Sequence, residues 1–163
     1  MEEKVKKFLK ELIPYVIIVI VVVLIRSFLV TPIIVDGDSM NPTLQHNEMM
    51  LLWKVGKIKR FDIVVLDIPN EHLIKRVIGL PGETIKCEDH VIYINDKALD
   101  STYGMVTTAD FSSVTLKDDE YFVLGYNREN STDSILLGPI KKKKIKGTTD
   151  FIIFPFTKFG KVS

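Results

Sequence analysis

The sequence predicts a mainly β fold, with antiparallel sheets coiled into a barrel-like body behind one N-terminal transmembrane helix. Three features carry this expectation. An uncharged apolar run stands near the N-terminus, short β-rich runs separated by turn residues follow it, and past the first run no long segment shows a helical period.

The apolar run is Leu12 to Ile25, LIPYVIIVIVVVLI. Arg26 and Ser27 interrupt it, and FLVTPIIV carries the apolar character on to Val35. The uninterrupted part is shorter than the ~20 residues that cross a bilayer. The full stretch suffices if Arg26 snorkels to the outer interface. Pro14 lies near the start, where a helix tolerates it. A cleaved leader would end in small residues, but RSFLVTP is bulky and β-branched. A core helix would be amphipathic, and this run is apolar on all sides. The reading is therefore an uncleaved anchor in the lipid bilayer. Lys4, Lys6, Lys7 and Lys10 precede it and orient the N-terminus to the cytoplasm. The chain then divides into a cytoplasmic N-terminus (1–11), an anchor (12–30) and an extracytoplasmic domain (31–163).

The 163 residues suit one domain of ordinary size, and 46% hydrophobic with 26% charged residues excludes a disordered chain. A net charge of +1 does not suit a nucleic-acid binder. The single cysteine, Cys87, forms no intrachain disulfide and reads as a packed thiol. Among the later elements, MMLLW, FDIVVLDI and LIKRVIGL read as strands, the last closed by a Pro81-Gly82 turn. TIKCED and HVIYIND read as a strand pair with the turn Asn95-Asp96-Lys97 beyond it. Residues 98–118 are polar and irregular, an exposed excursion. YFVLGYN is a strand running into the loop NRENSTDS, and KKKKIKGTTDFIIFPF closes the chain as a lysine run and a final strand. Lys141 to Lys144 read as a solvated edge, with contact to anionic lipid as the weaker alternative.

Ser39 lies in the turn-rich segment GDSMNPTL, directly after the anchor and so close to the outer membrane face. His46, His72 and His90 all stand in polar, turn-like surroundings, which does not suit a Ser-His-Asp triad. The other base for a serine is a lysine held neutral, which requires desolvation or a cationic neighbour. Lys75 sits in LIKRVI, sharing a strand face with Leu73 and Val77, while Arg76 shares the other with Ile74 and Ile78. An edge-strand lysine that blocks aggregation has the same local pattern, so the strand alone leaves both readings open.

Four segments resemble the type I signal peptidase family in its Gram-positive style. They are GDSMNPTL, RFDIVVL (60–66), IKRVIGLPGE (74–83) and GYNRENSTDS (125–134), in family order behind a lead-in anchor. The resemblance spans nearly the whole chain and implies a membrane-bound serine endopeptidase that cuts signal peptides from exported preproteins. It implies Ser39 as nucleophile, Lys75 as general base and Ser131 as the hydroxyl that aims the lysine. It implies an oxyanion hole from the Ser39 N–H, with Gly37 where some members carry a serine, so that any second donor there is backbone. Ile33, Val35, Met40, Leu44, Leu73 and Ile74 match the apolar walls of pockets that admit only small residues at −1 and −3. Arg76 and Asp133 match a family ion pair, and Arg128 and Asn130 match structural positions. No metal or cofactor is implied. Two positions depart: Tyr126 and Ile135 stand where the family has a paired aspartate and arginine, and both are apolar enough to touch instead. The alternatives are a self-cleaving Ser/Lys repressor, which would need a DNA-binding domain, and a non-catalytic tethered binding protein on the same fold.

Overall fold

The structure is a computed structural model that describes residues 2–69, 71–99 and 107–162. Helix α1 spans Glu2–Phe28. Its apolar part, Lys6–Phe28, has a mean hydropathy of 2.6 and is 0% buried by the rest of the chain. At 1.5 Å per residue those residues reach about 35 Å, enough for a hydrocarbon core of about 30 Å. The helix also takes in the lysine-rich start that the sequence assigned to a separate cytoplasmic segment.

The helix stops earlier than the apolar composition suggested. FLVTPIIV does not continue it: β1 is Val30–Ile34. The residue before a proline is pushed away from helical ψ, and the β-branched residues around Pro32 favour extended backbone. Three bonds close the helix end. Thr31 Oγ1 donates to Arg26 O at 2.8 Å, and Lys54 Nζ donates to Arg26 O at 3.2 Å and Ser27 O at 2.9 Å. They satisfy carbonyls that a helix C-terminus leaves without intrahelical partners.

The first sheet contains β1, β2 (Met49–Trp53), β3 (Ile63–Ile68), β4 (Glu71–Gly79), β9 (Glu120–Leu124), β10 (Ile140–Lys141) and β11 (Ile145–Phe154). Its order is β1-β2-β11-β3-β4-β9-β10, with β12 (Gly160–Lys161) on β11, and every pairing is antiparallel. The path is open, with β1 and β10 at its ends, so the sheet does not close into the barrel-like coil expected. Pro32 falls on the edge strand β1, where a missing N–H is tolerated.

The second sheet has the order β7-β6-β5-β8, from β5 (Thr84–Glu88), β6 (Val91–Ile94), β7 (Lys97–Ala98) and β8 (Phe111–Thr115). Its hairpins turn at Asp89-His90 and Asn95-Asp96, all four at positive φ, the geometry that matches strand twist in a two-residue loop. Strand β8 corrects the reading of 98–118 as an irregular excursion. It pairs with β5, and Leu116 behind it is buried in the core. Residues 100–106 of that stretch lie outside the described residues.

Strand β4 is buried over Ile74–Gly79 and carries apolar clusters on both sides. One cluster gathers Val35, Met40, Leu44, Leu52, Ile63, Val65 and Ile74. The other gathers Val64, Leu66, Val77 and Val123. A lysine at the centre of this strand is forced out of water. Lys141 to Lys144 are exposed and sit by β10, at the opposite end of the sheet path from β1 and the helix.

Candidate active site

Ser39 belongs to the 35–48 loop between β1 and β2. Val35, Met40 and Leu44 plug this loop into the core with 2%, 1% and 0% of their surfaces exposed. Asn41 N donates to Asp38 O and Leu44 N to Met40 O, tightening the turn around the serine. The loop's far end is fixed by buried Glu48, which accepts from Gln45 N at 3.0 Å and from Lys158 Nζ at 2.7 Å.

Lys75 sits in the register Val64↔Lys75 on β4, and its side chain is 1% exposed. Its Nζ lies 2.6 Å from Ser39 Oγ. Burial pulls the ammonium down from 10.5 to about 8, against the opposing pull of the Asp133 and Glu71 carboxylates. A buried amine with a depressed pKa beside a serine hydroxyl is the arrangement that lets lysine accept a proton near neutral pH. The strand pattern alone left Lys75 open between edge and core. Its burial and its bond to Ser39 exclude the edge reading.

The last loop closes over this pair. Asn127 N donates to Ser39 O at 2.9 Å. Asp133, 2% exposed, accepts from Gly125 N at 3.0 Å and caps the short helix α2 (Ser134–Leu137) by accepting from Ile135 N at 3.1 Å. Arg128 Nε donates to Gly125 O at 2.8 Å, and its Nη1 bonds the Thr108 hydroxyl. Arg76 Nη1 donates to Phe61 O at 2.9 Å. Asn130 is exposed, its backbone N–H bonded to Asn127 O.

Ser131 Oγ is buried beside Gly125 with no hydrogen-bond partner among the described residues. The bond to the lysine implied by the family likeness is not formed in this structure. Gly37 has φ +87° and its N–H donates to His46 Nδ1 at 3.2 Å, so this backbone donor already has an acceptor. The histidines are exposed as expected, each within 4 Å of an aspartate: His46 with Asp36, His72 with Asp67 and His90 with Asp110. Cys87 is a buried thiol that desolvation pushes up to about 11.

A cleft of about 530 Å³ runs from Ile33 and Ile74 along Thr31, Pro32, Leu52 and Val65. Of the six expected pocket residues only Ile33 and Ile74 line it. Val35, Met40 and Leu44 lie in the core cluster behind, and Leu73 packs with the cluster of Val64 and Val77. Leu52 and Val65 were not anticipated. Strand alternation places Val65 opposite Ile74 on the neighbouring strand, a signal the sequence did hold. Tyr126 packs on the Met40 cluster, while Ile135 is exposed on α2, so the two do not share a cluster.

Residues 8–154 match the family described as signal peptidase, peptidase S26. A signal peptidase I of Bacillus amyloliquefaciens is 43% identical, over 90% of this chain and 88% of its own length. Signal peptidase I S of Bacillus subtilis is 41% identical, over 91% and 90%. A crystal structure of a signal peptidase I from Enterococcus faecalis superposes with a TM-score of 0.52 and 33% identity, covering 58% of this chain and 97% of that one. Sequence and fold therefore agree, and this chain belongs to the signal peptidase family, peptidase S26, as a serine peptidase of the signal peptidase I kind.

Proposed function

We propose that this chain is a membrane-anchored endopeptidase that removes N-terminal signal peptides from exported preproteins by a Ser39/Lys75 dyad. The carrying observation is the 2.6 Å approach of Lys75 Nζ to Ser39 Oγ, made by an amine that burial has brought down to about 8.

In the proposed mechanism neutral Lys75 takes the Ser39 hydroxyl proton as Oγ attacks the scissile carbonyl, forming the C–O bond of a tetrahedral intermediate. The Ser39 N–H faces the developing oxyanion. The Gly37 N–H joins it on exchanging His46 Nδ1 for the substrate oxygen. Lys75 returns its proton to the leaving amine as the C–N bond breaks. Water, deprotonated by the same amine, then releases the signal peptide from Ser39. Ser131, buried beside Gly125, is proposed to steer the lysine lone pair once substrate is seated. Arg76, Arg128, Asn130 and Asp133 hold the strand and last loop in register.

Substrate selection follows from size. Ile33, Ile74, Leu52 and Val65 give the cleft branched apolar walls, which suit Ala, Gly or Ser at −1 and −3 and reject larger side chains by overlap. Helix α1 is the proposed anchor, with the N-terminus cytoplasmic and the domain from about residue 31 on the extracytoplasmic side. The apolar, wholly exposed window Lys6–Phe28 supports the anchor, and the lysines that precede the apolar run support the orientation.

The test is incubation of the purified chain with a preprotein bearing an A-x-A site, beside Ser39→Ala. Cleavage at that site by the wild type and not by the variant is expected. Equal cleavage by both would refute the assignment of Ser39.

A further inference from the structure

A second cleft stands apart from the one lined by Ile33 and Ile74. It encloses about 650 Å³ between the loop after β2, the start of β3 and strands β11 and β12. Its lining brings Lys57, Arg60, Arg76 and Lys161 together against two carboxylates, Asp62 and Asp150. Glu83 already pairs with Arg60, and Lys161 Nζ lies 3.3 Å from Asp150. Lys57 at the mouth is exposed. Thr149 lines the cleft with 1% of its surface exposed, and its hydroxyl has no hydrogen-bond partner among the described residues. A buried hydroxyl left unpaired is penalised, so a ligand oxygen here would relieve a standing cost.

The position of the cleft narrows the ligand. Lys54 N donates to Leu29 O at 2.9 Å, and Lys54 Nζ bonds the Arg26 and Ser27 carbonyls. The loop that forms the rim is thereby fastened to the last turn of α1, at the first charge after the apolar run. That is headgroup depth if α1 crosses the bilayer. Trp53 and Val55 on the same rim are 41% and 56% exposed. An indole and an aliphatic side chain beside basic residues suit the membrane–water interface.

We propose that this cleft binds the phosphodiester headgroup of an anionic phospholipid. Thr149 donates to a phosphate oxygen, Lys57 and Lys161 supply charge, and Trp53 lies against the glycerol end. The proposal rests on the reading of α1 as a membrane anchor. It concerns a face of the domain outside the Ser39/Lys75 pair, and it gives the domain a second attachment that fixes its tilt on the membrane.

Trp53 is the chain's only tryptophan and reports directly on the cleft. The full chain in neutral maltoside micelles is titrated with phosphatidylglycerol, with phosphatidylcholine at equal mole fraction, and with inorganic phosphate, following Trp53 emission. Phosphatidylglycerol should give a saturable change and the other two should not. Thr149→Val and the pair Lys57→Gln/Lys161→Gln should each raise the phosphatidylglycerol midpoint about tenfold, the scale of one lost charge-assisted bond. Preprotein cleavage in plain micelles should stay unchanged in both. Equal responses to the two lipids, saturation by inorganic phosphate alone, or wild-type midpoints in the variants would each overturn the proposal. If Thr149→Val fails to fold, the surface lysine pair carries the test. Release of the wild type from vesicles by alkaline carbonate would instead refute the anchor, and leaves the micelle titration readable.

Discussion

The Asn127 backbone N–H donates to the carbonyl of Ser39 at 2.9 Å, joining the loop that presents the hydroxyl to the loop that covers it. This bond requires two chain segments to approach backbone to backbone, and Gly125 is what permits it. A Cβ at that position would stand 2.1 Å from Ser131 Oγ and 2.9 Å from Ser39 O.

Gly125→Ala should therefore damage both the fold and the proposed site. Overpacking of this kind costs about 1–3 kcal/mol. A fall in thermal midpoint is expected, together with a loss of cleavage that exceeds the loss of folded protein. Calorimetry and a preprotein assay on the same sample check it. Wild-type behaviour in both would show that the two loops do not need this approach.

Replacing Lys75 separates catalysis from stability. Below about pH 8 the folded protein holds a protonated amine in a buried position, while the unfolded chain binds the same proton up to about 10.5. The desolvation penalty is thus present in full below about 8 and disappears as pH rises past the unfolded value. Lys75→Met removes the penalised group and keeps the volume. Its thermal midpoint at pH 7 should match or exceed that of wild type, while cleavage falls by about 10²–10⁴, the usual contribution of a general base. Lys75→Arg should be no more active, because guanidinium does not shed its proton. A folded, substantially active Lys75→Arg enzyme would remove lysine from the mechanism.

Ser131→Ala deletes a buried hydroxyl that has no hydrogen-bond partner among the described residues. Losing an unpaired buried hydroxyl removes a desolvation cost, so stability should hold or rise slightly. If Ser131 steers the base, kcat should fall with little change in KM, and Ser131→Thr should restore part of it. Unaltered kcat in Ser131→Ala would reduce the residue to packing.

Much of this was legible before any coordinates. Strands β2, β3, β4 and β9 follow from short apolar runs between turn residues, and the solvated histidines follow from their polar neighbours. The open sheet was not legible, because closure depends on which strands pair at the two ends of the path, and periodicity does not encode that. Strand β8 was hidden by its composition: FSSVT pairs with β5 through its backbone while carrying two serines and a threonine. Helix α1 ends at Phe28, close to the expected anchor end at residue 30, and the apolar residues beyond it form β1, which hydropathy alone does not separate from helix. In the candidate site, Ser39 and Lys75 were singled out from their motifs, and the structure brings their side chains to 2.6 Å. Val35, Met40 and Leu44 were placed at pocket walls by the family resemblance, and their apolar character fits a wall and the core cluster alike.

Glu48 and Lys158 were not anticipated either. Glu48 is 3% exposed and bonds both Gln45 N and Lys158 Nζ, tying the C-terminal tail to the Ser39 loop. Lys158→Met strands that carboxylate, and breaking a buried pair from one side costs about 3–5 kcal/mol at most, less here because Lys158 is partly exposed. A lower thermal midpoint is expected, while Glu48→Gln/Lys158→Met should recover part of it. If the double variant is no more stable than Lys158→Met, the pair has no such role.

The pH dependence of kcat/KM for preprotein cleavage by the purified wild-type chain tests the dyad most directly. The rate should climb about tenfold per pH unit on the acid side and level off above about 8, where burial has placed the Lys75 amine. A profile that stays flat from pH 6 to 10, or that falls across that range, would mean the proton leaves Ser39 by another route.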